Sequence, residues 1–157
     1  MIGKTIPYQD LEGNPKVKTF YFSINQTEFA ALNNRLEGGL ENYVKKLMDS
    51  HDETKLLDLI MLFIVEGYGI RESSDDFIKE DAQGRKLGMR FRSSEACDKL
   101  LEELLDKENN IWAFIIGMLP ASQQAKVKAN LDSSFTEEGV AAADAENKVV
   151  PINGDVT

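Results

Sequence analysis

Glu53-Thr54-Lys55-Leu56-Leu57-Asp58-Leu59-Ile60-Met61-Leu62-Phe63-Ile64-Val65-Glu66-Gly67-Tyr68 is the stretch from which the fold of this chain is read. Its apolar positions, Leu56, Leu57, Leu59, Ile60, Met61, Phe63, Ile64 and Val65, cover most of a helical circumference instead of one stripe. A helix that is apolar on nearly every side is one that other elements enclose. Asp52 before it offers a side-chain acceptor to the unpaired amides of the first turn, and Gly67 and Gly69 close it. The run Leu56 to Val65 is ten residues long and contains Asp58, well short of the about 20 residues that cross a bilayer. The stretch therefore predicts the central helix of a globular domain.

Working upstream, Leu40, Tyr43, Val44, Leu47 and Met48 recur at helical spacing and stop near Ser50-His51-Asp52. An earlier helix starts at Asn25-Gln26-Thr27-Glu28, which has the form of a capping box. Phe29, Leu32 and Leu36 give it a stripe, and Gly38-Gly39 ends or bends it. Residues 4–24 read as a β-hairpin: Lys4 to Tyr8 and Val17 to Phe22 are β-rich, and Gly13, Asn14 and Pro15 supply the turn. Pro7 assigns the first strand to an edge. Bulky residues on both faces at the end of the second strand imply that both faces meet protein, and a two-stranded ribbon must lean on helices.

Downstream, residues 70–93 are polar and charged with isolated anchors at Phe77, Ile78, Leu87, Met89 and Phe91, and read as a long connection with one short helix at most. Ser93 or Ser94 caps the next helix, whose apolar face is Ala96, Leu100, Leu101, Leu104 and Leu105. Asn109-Asn110 is read as its break. Ile111 to Leu119 is apolar all round and stopped by Pro120. Two readings fit this segment: closure of the core, or a surface covered by self-assembly or by a client. Residues 121–131 extend helically, and from Asp132 onward the composition is too poor in apolar residues to offset chain entropy, so a disordered acidic tail is expected. The fold class is thus mainly α with an N-terminal β-hairpin (α+β). About five helices form residues 1–120, and residues 121–157 are a helical extension followed by a flexible tail.

Charge and chemistry narrow the function. The 157 residues carry 18 Lys plus Arg against 27 Asp plus Glu, a net charge of -9, which disfavours binding to nucleic acid or to an anionic membrane and favours a protein partner. One cysteine and one histidine, Cys97 and His51, leave no disulfide framework and no multi-ligand zinc site. Nothing at Met1 to Pro7 resembles the apolar core of a signal peptide, so cytosolic folding is expected. His51 lies in a polar helix junction and reads as capping or solvated. Cys97 reads as a buried, inert thiol beside acidic neighbours that raise its pKa. The acidic pairs Asp75-Asp76 with Glu80-Asp81, and Glu102-Glu103 with Asp106, lack calcium-loop spacing, and the glycines match no phosphate loop. Arg85-Lys86 with Arg90 and Arg92 is the one basic concentration, read as a solvated or partner-facing loop. No acid–base or nucleophile pair assembles from this inventory, so no enzyme, cofactor or metal is expected.

Three patterns in order resemble the small tail assembly chaperones of long-tailed bacteriophages of Gram-positive hosts. Phe20-Tyr21-Phe22-Ser23-Ile24-Asn25-Gln26-Thr27-Glu28 is similar to the family's aromatic strand running into a capped helix. Tyr68-Gly69 with Ser73-Ser74-Asp75-Asp76-Phe77-Ile78-Lys79 is similar to its Tyr-Gly, Ser, Asp-Gly, Phe-Ile-Lys segment, with Asp76 in place of the usual glycine. Phe114-Ile115-Ile116-Gly117-Met118-Leu119-Pro120 is like its closing Phe-x-x-Gly-Ile-Ile-Pro. The resemblance spans residues 4–120 and leaves the basic stretch Arg85 to Arg92 unaligned.

That resemblance implies a non-enzymatic chaperone of the host cytoplasm. Such a chaperone binds and solubilises the tape measure protein, helps recruit tail tube protein, associates with itself, and is absent from the mature virion. Many members are made in two lengths by ribosomal frameshifting, under which pattern this chain is the short form. Trp112, Ile115, Ile116 and Met118 are the expected partner-binding residues, on the reading that their stripe is a surface. The alternatives are a permanent virion or head–tail joining component, for which the strand content is low, and an acidic phage regulator that binds a host protein, against which the charge is interspersed and not in one block.

Overall fold

The computed structural model describes residues 1–137. An antiparallel hairpin, β1 (Ile2–Gln9) and β2 (Pro15–Phe22), leads into three helices: α1 (Gln26–Arg35), α2 (Gly39–Ser50) and α3 (Glu53–Gly67). Two short strands follow, β3 (Tyr68–Arg71) and β4 (Phe77–Ile78), and then α4 (Leu87–Arg92), α5 (Glu95–Asp106), α6 (Glu108–Met118) and α7 (Ala121–Glu137). The expected mainly helical α+β fold is the one observed, with seven helices among the described residues.

The hairpin is closed by a compact acidic turn. The Asp10 carboxylate accepts the amides of Glu12 and Asn14 at 3.0 and 2.9 Å, and Gly13 takes a positive φ of 86° that a side chain would resist. Hydrogen bonding from the Asn14 amide, then the Glu12 amide, holds the Asp10 carboxyl below its ordinary pKa. Register pairs Ile2 with Phe22 and Gln9 with Pro15, which puts Pro7 on the outer edge of the sheet.

The hairpin is not a lone ribbon. β3 adds antiparallel to β2 through Tyr21–Gly69 and Phe22–Tyr68, and β4 pairs with β3, giving a four-stranded sheet in the order β1-β2-β3-β4. Residues 70–93 are therefore more structured than expected from their composition. After β4 comes a second copy of the acidic turn: the Asp81 carboxylate accepts the Gln83 and Arg85 amides at 2.9 Å each, with Gly84 at φ 78°. A bridge between Glu80 and Lys86 closes it, and α4 follows.

Capping sets the helix starts. Asn25 and Glu28 form the reciprocal box at α1, with amide-to-oxygen distances of 2.8 and 3.0 Å. Asp52 accepts from the Lys55 amide at 3.1 Å, and Ser94, the nearer of the two serines, accepts from Cys97 at 3.1 Å. Between α5 and α6 the break falls at Lys107, whose φ of -141° is extended. Asn109 and Asn110 lie instead in the first turn of α6, and the Asn110 side chain donates to the Glu103 carbonyl at 2.9 Å.

The core is one continuous cluster. Phe22, Phe63 and Phe114 are fully enclosed. Phe22 meets Phe114 edge-on at 5.0 Å, and Tyr68 stacks on Phe91 at 4.6 Å. Two backbone bonds stitch the exit of β2 to distant helix ends: Ser23 donates to the Gly67 carbonyl at 2.9 Å and Ile24 to the Met118 carbonyl at 2.7 Å. Both satisfy C-terminal carbonyls that a helix cannot pair internally. α7 also joins the core through Val127, and Gln124 donates to the Leu119 carbonyl at 2.8 Å. The helical extension packs on α2 and α6 and runs to Glu137, past Asp132 where the disordered tail was expected to begin, and the rest of that expected tail lies outside the described residues.

Candidate functional site

The predicted partner-binding residues sit on α6, and the fold encloses most of them. Trp112, Ile115 and Met118 are buried within the chain, and only Ile116 is half-exposed. α6 is surrounded by β1, α3, α5 and α7, so of the two readings of the 111–119 stripe, core closure is the one observed. The surface expected at Trp112, Ile115 and Met118 is corrected accordingly. The physical reason is that β1, α3, α5 and α7 all pack around α6, with Val127 of α7 itself buried.

What remains open to a partner lies between elements. The first feature is a groove of about 550 Å³ where the α2–α3 junction meets the end of α5 and the start of α6. Its floor is Leu47, Ile111 and Trp112, all buried, and Met48 and Leu56 line its wall half-buried. Leu57 and Leu105 stand at its lips, 40% and 53% exposed. Large aliphatic side chains that open beside a concave apolar floor are unusual for a surface that meets only water. The polar lining is His51, Asp52 and Glu53. His51 adopts a left-handed φ of 54°, ending α2 with its amide on the Leu47 carbonyl at 3.0 Å. The Trp112 indole N–H finds no acceptor among the described residues, an unmet donor of a kind that costs about 1–3 kcal/mol when buried.

The second feature is a groove of about 650 Å³ along the outer face of α3 against α4. Met61, Leu62, Val65 and Met89 form its base, and Arg35, Arg85, Lys86 and Arg92 rim it. Here the basic stretch singled out from sequence gathers with Arg35 of α1. Glu66 partly offsets it by pairing with Lys86 and, at 3.6 Å, with Arg35.

The remaining candidate chemistry is quiet. Cys97 is buried, and burial first, with the Asp98 charge second, pushes its thiol up to about 11, against a weaker opposing pull from Arg92. Among the described residues no group of three or more His, Cys, Asp or Glu could hold a metal ion. No described helix is long and apolar enough to cross a membrane. Asp76, where the resembled pattern has glycine, needs no positive φ: the turn closes by bonds from the Glu72 and Ser73 amides to the Asp76 carbonyl.

A small α+β domain with a sheet edge, one continuous core and apolar grooves between its helices defines the structural class. Comparison with families gives its kind: the phage tail assembly chaperone model matches residues 1–154, and the chain belongs to that family. The match continues past Pro120, where the sequence resemblance had stopped. Comparison with curated proteins and with solved structures gave no match.

Proposed function

We propose that this chain is a non-enzymatic assembly factor that binds the tape measure protein in the host cytoplasm, keeps it soluble, helps bring tail tube protein to it, and is left out of the finished virion. The observation that carries this reading is the family match over residues 1–154. Physical features agree with it. A client that is long, helical and partly apolar aggregates unless its apolar faces are covered, and grooves with aliphatic lips are suited to covering them. A net charge of -9 keeps the resulting complex dispersed. Binding through several copies, each weakly held and able to associate with its neighbours, leaves the client exchangeable when tube protein polymerises.

The test is a phage genome from which this gene alone is deleted. The expected result is tape measure protein in the insoluble fraction of infected cells and no tails, with both restored by complementation. Mass spectrometry of purified wild-type particles is expected to find tube protein without this chain. Abundant peptides of this chain in virions would instead make it a permanent structural component.

A further inference from the structure

We propose that the groove at the α2–α3 junction receives the apolar face of an amphipathic helix whose flanks carry lysine or arginine. The inference rests on the chaperone reading and names the partner chemistry. The geometry locates the site: Leu57 and Leu105, on different helices, leave aliphatic surface open beside a buried floor of Leu47, Ile111 and Trp112.

Charge decides the occupant. The lining carries the acids Asp52 and Glu53 and no lysine or arginine, and of the exposed charges near it in sequence Asp49 and Asp106 are acidic while Lys55 and Lys107 are basic. The groove on α3 and α4 has the opposite balance, with four cations against Asp58 and Glu66 around its apolar base. A helix that inserts residues at i, i+3 and i+7 between Leu57 and Leu105 would place its flanks against the acidic margins.

Trp112 is the only tryptophan, so the full-length protein reports on the groove by its own fluorescence. The probes are two synthetic helices of about five turns with one shared leucine face, one flanked by lysine and the other by glutamate. The expected result is a saturable shift of Trp112 emission with the lysine-flanked helix, weakening as salt rises, and binding at least about tenfold weaker for the glutamate-flanked one. Leu57→Asp and Leu105→Asp, at exposed positions that leave the core intact, should each weaken binding by about tenfold or more. Equal binding of both helices, no shift of Trp112, or undiminished binding to the Asp variants would overturn the proposal. So would a concentration-dependent Trp112 shift accompanied by dimer mass without peptide, which makes a second copy the occupant. The chaperone reading fails separately, in the gene-deletion experiment.

Discussion

Gly88 and Cys97 show how narrowly single residues are fixed in this fold. A Cβ at Gly88 would lie 2.1 Å from the Val65 carbonyl oxygen, so α4 reaches α3 only because this position has no side chain. Gly88→Ala should lose about 3 kcal/mol by forcing those helices apart, read as a lowered midpoint in thermal unfolding. Cys97 makes a prediction about pH. Its folded thiol pKa is raised from 9.0 to about 11, so the folded state keeps a proton that the unfolded chain gives up. The stabilisation is full below pH 9 and is lost as pH rises towards 11. The stability difference between wild type and Cys97→Ala should therefore shrink across that interval in denaturant titrations, and the native thiol should resist alkylation at pH 8. The quiet roles of Cys97 and His51 were legible in the sequence because their neighbours are local. The burial of Trp112 was one of the two readings the sequence left open, and the packing of β1, α3, α5 and α7 around α6 decides between them.

At the scale of elements, the signals that worked were those with a fixed spacing. Asn25 to Glu28 announced α1, and the structure places both bonds of the box. Asn25→Ala should cost about 1 kcal/mol, measurable by chemical denaturation, with the loss confined to the start of α1 in hydrogen exchange. Glu28 also pairs with Lys79 at 2.6 Å, so the box ties α1 to the segment after β4. β3 and β4 were missed since strands of four and two residues are too short to display alternation. The signal that would have found the second turn was present: Asp81-Ala82-Gln83-Gly84-Arg85 repeats the Asp-x-x-Gly spacing of Asp10-Leu11-Glu12-Gly13-Asn14. The Lys107 break was misplaced onto Asn109-Asn110 because asparagines serve equally well in a first turn, where Asn110 finds the Glu103 carbonyl.

For the whole molecule, substitutions distinguish the buried stripe at Ile111 to Leu119, which supplies Ile111 and Trp112 to the groove floor, from the exposed lips of that groove. Trp112→Ala removes a side chain from the buried floor and should destabilise the domain by about 3–5 kcal/mol, a large share of the stability of a chain this size. Leu57→Asp changes only an exposed lip and should leave the unfolding midpoint nearly unchanged. The overall architecture was readable because the largely apolar helix α3 demands cover: Leu59, Ile60, Phe63 and Ile64 are enclosed, whereas Leu57 and the Met61, Leu62 and Val65 face stay open to grooves. The proposed docking groove was not, because a groove is a relation among four helices and no local pattern encodes it. The most direct measurement is co-expression of the tape measure protein with this chain, followed by affinity capture and sizing of the soluble fraction. The expected result is a client soluble only in its presence that elutes with several copies bound. A client equally soluble without this chain, or one that elutes free of it, would overturn the chaperone reading.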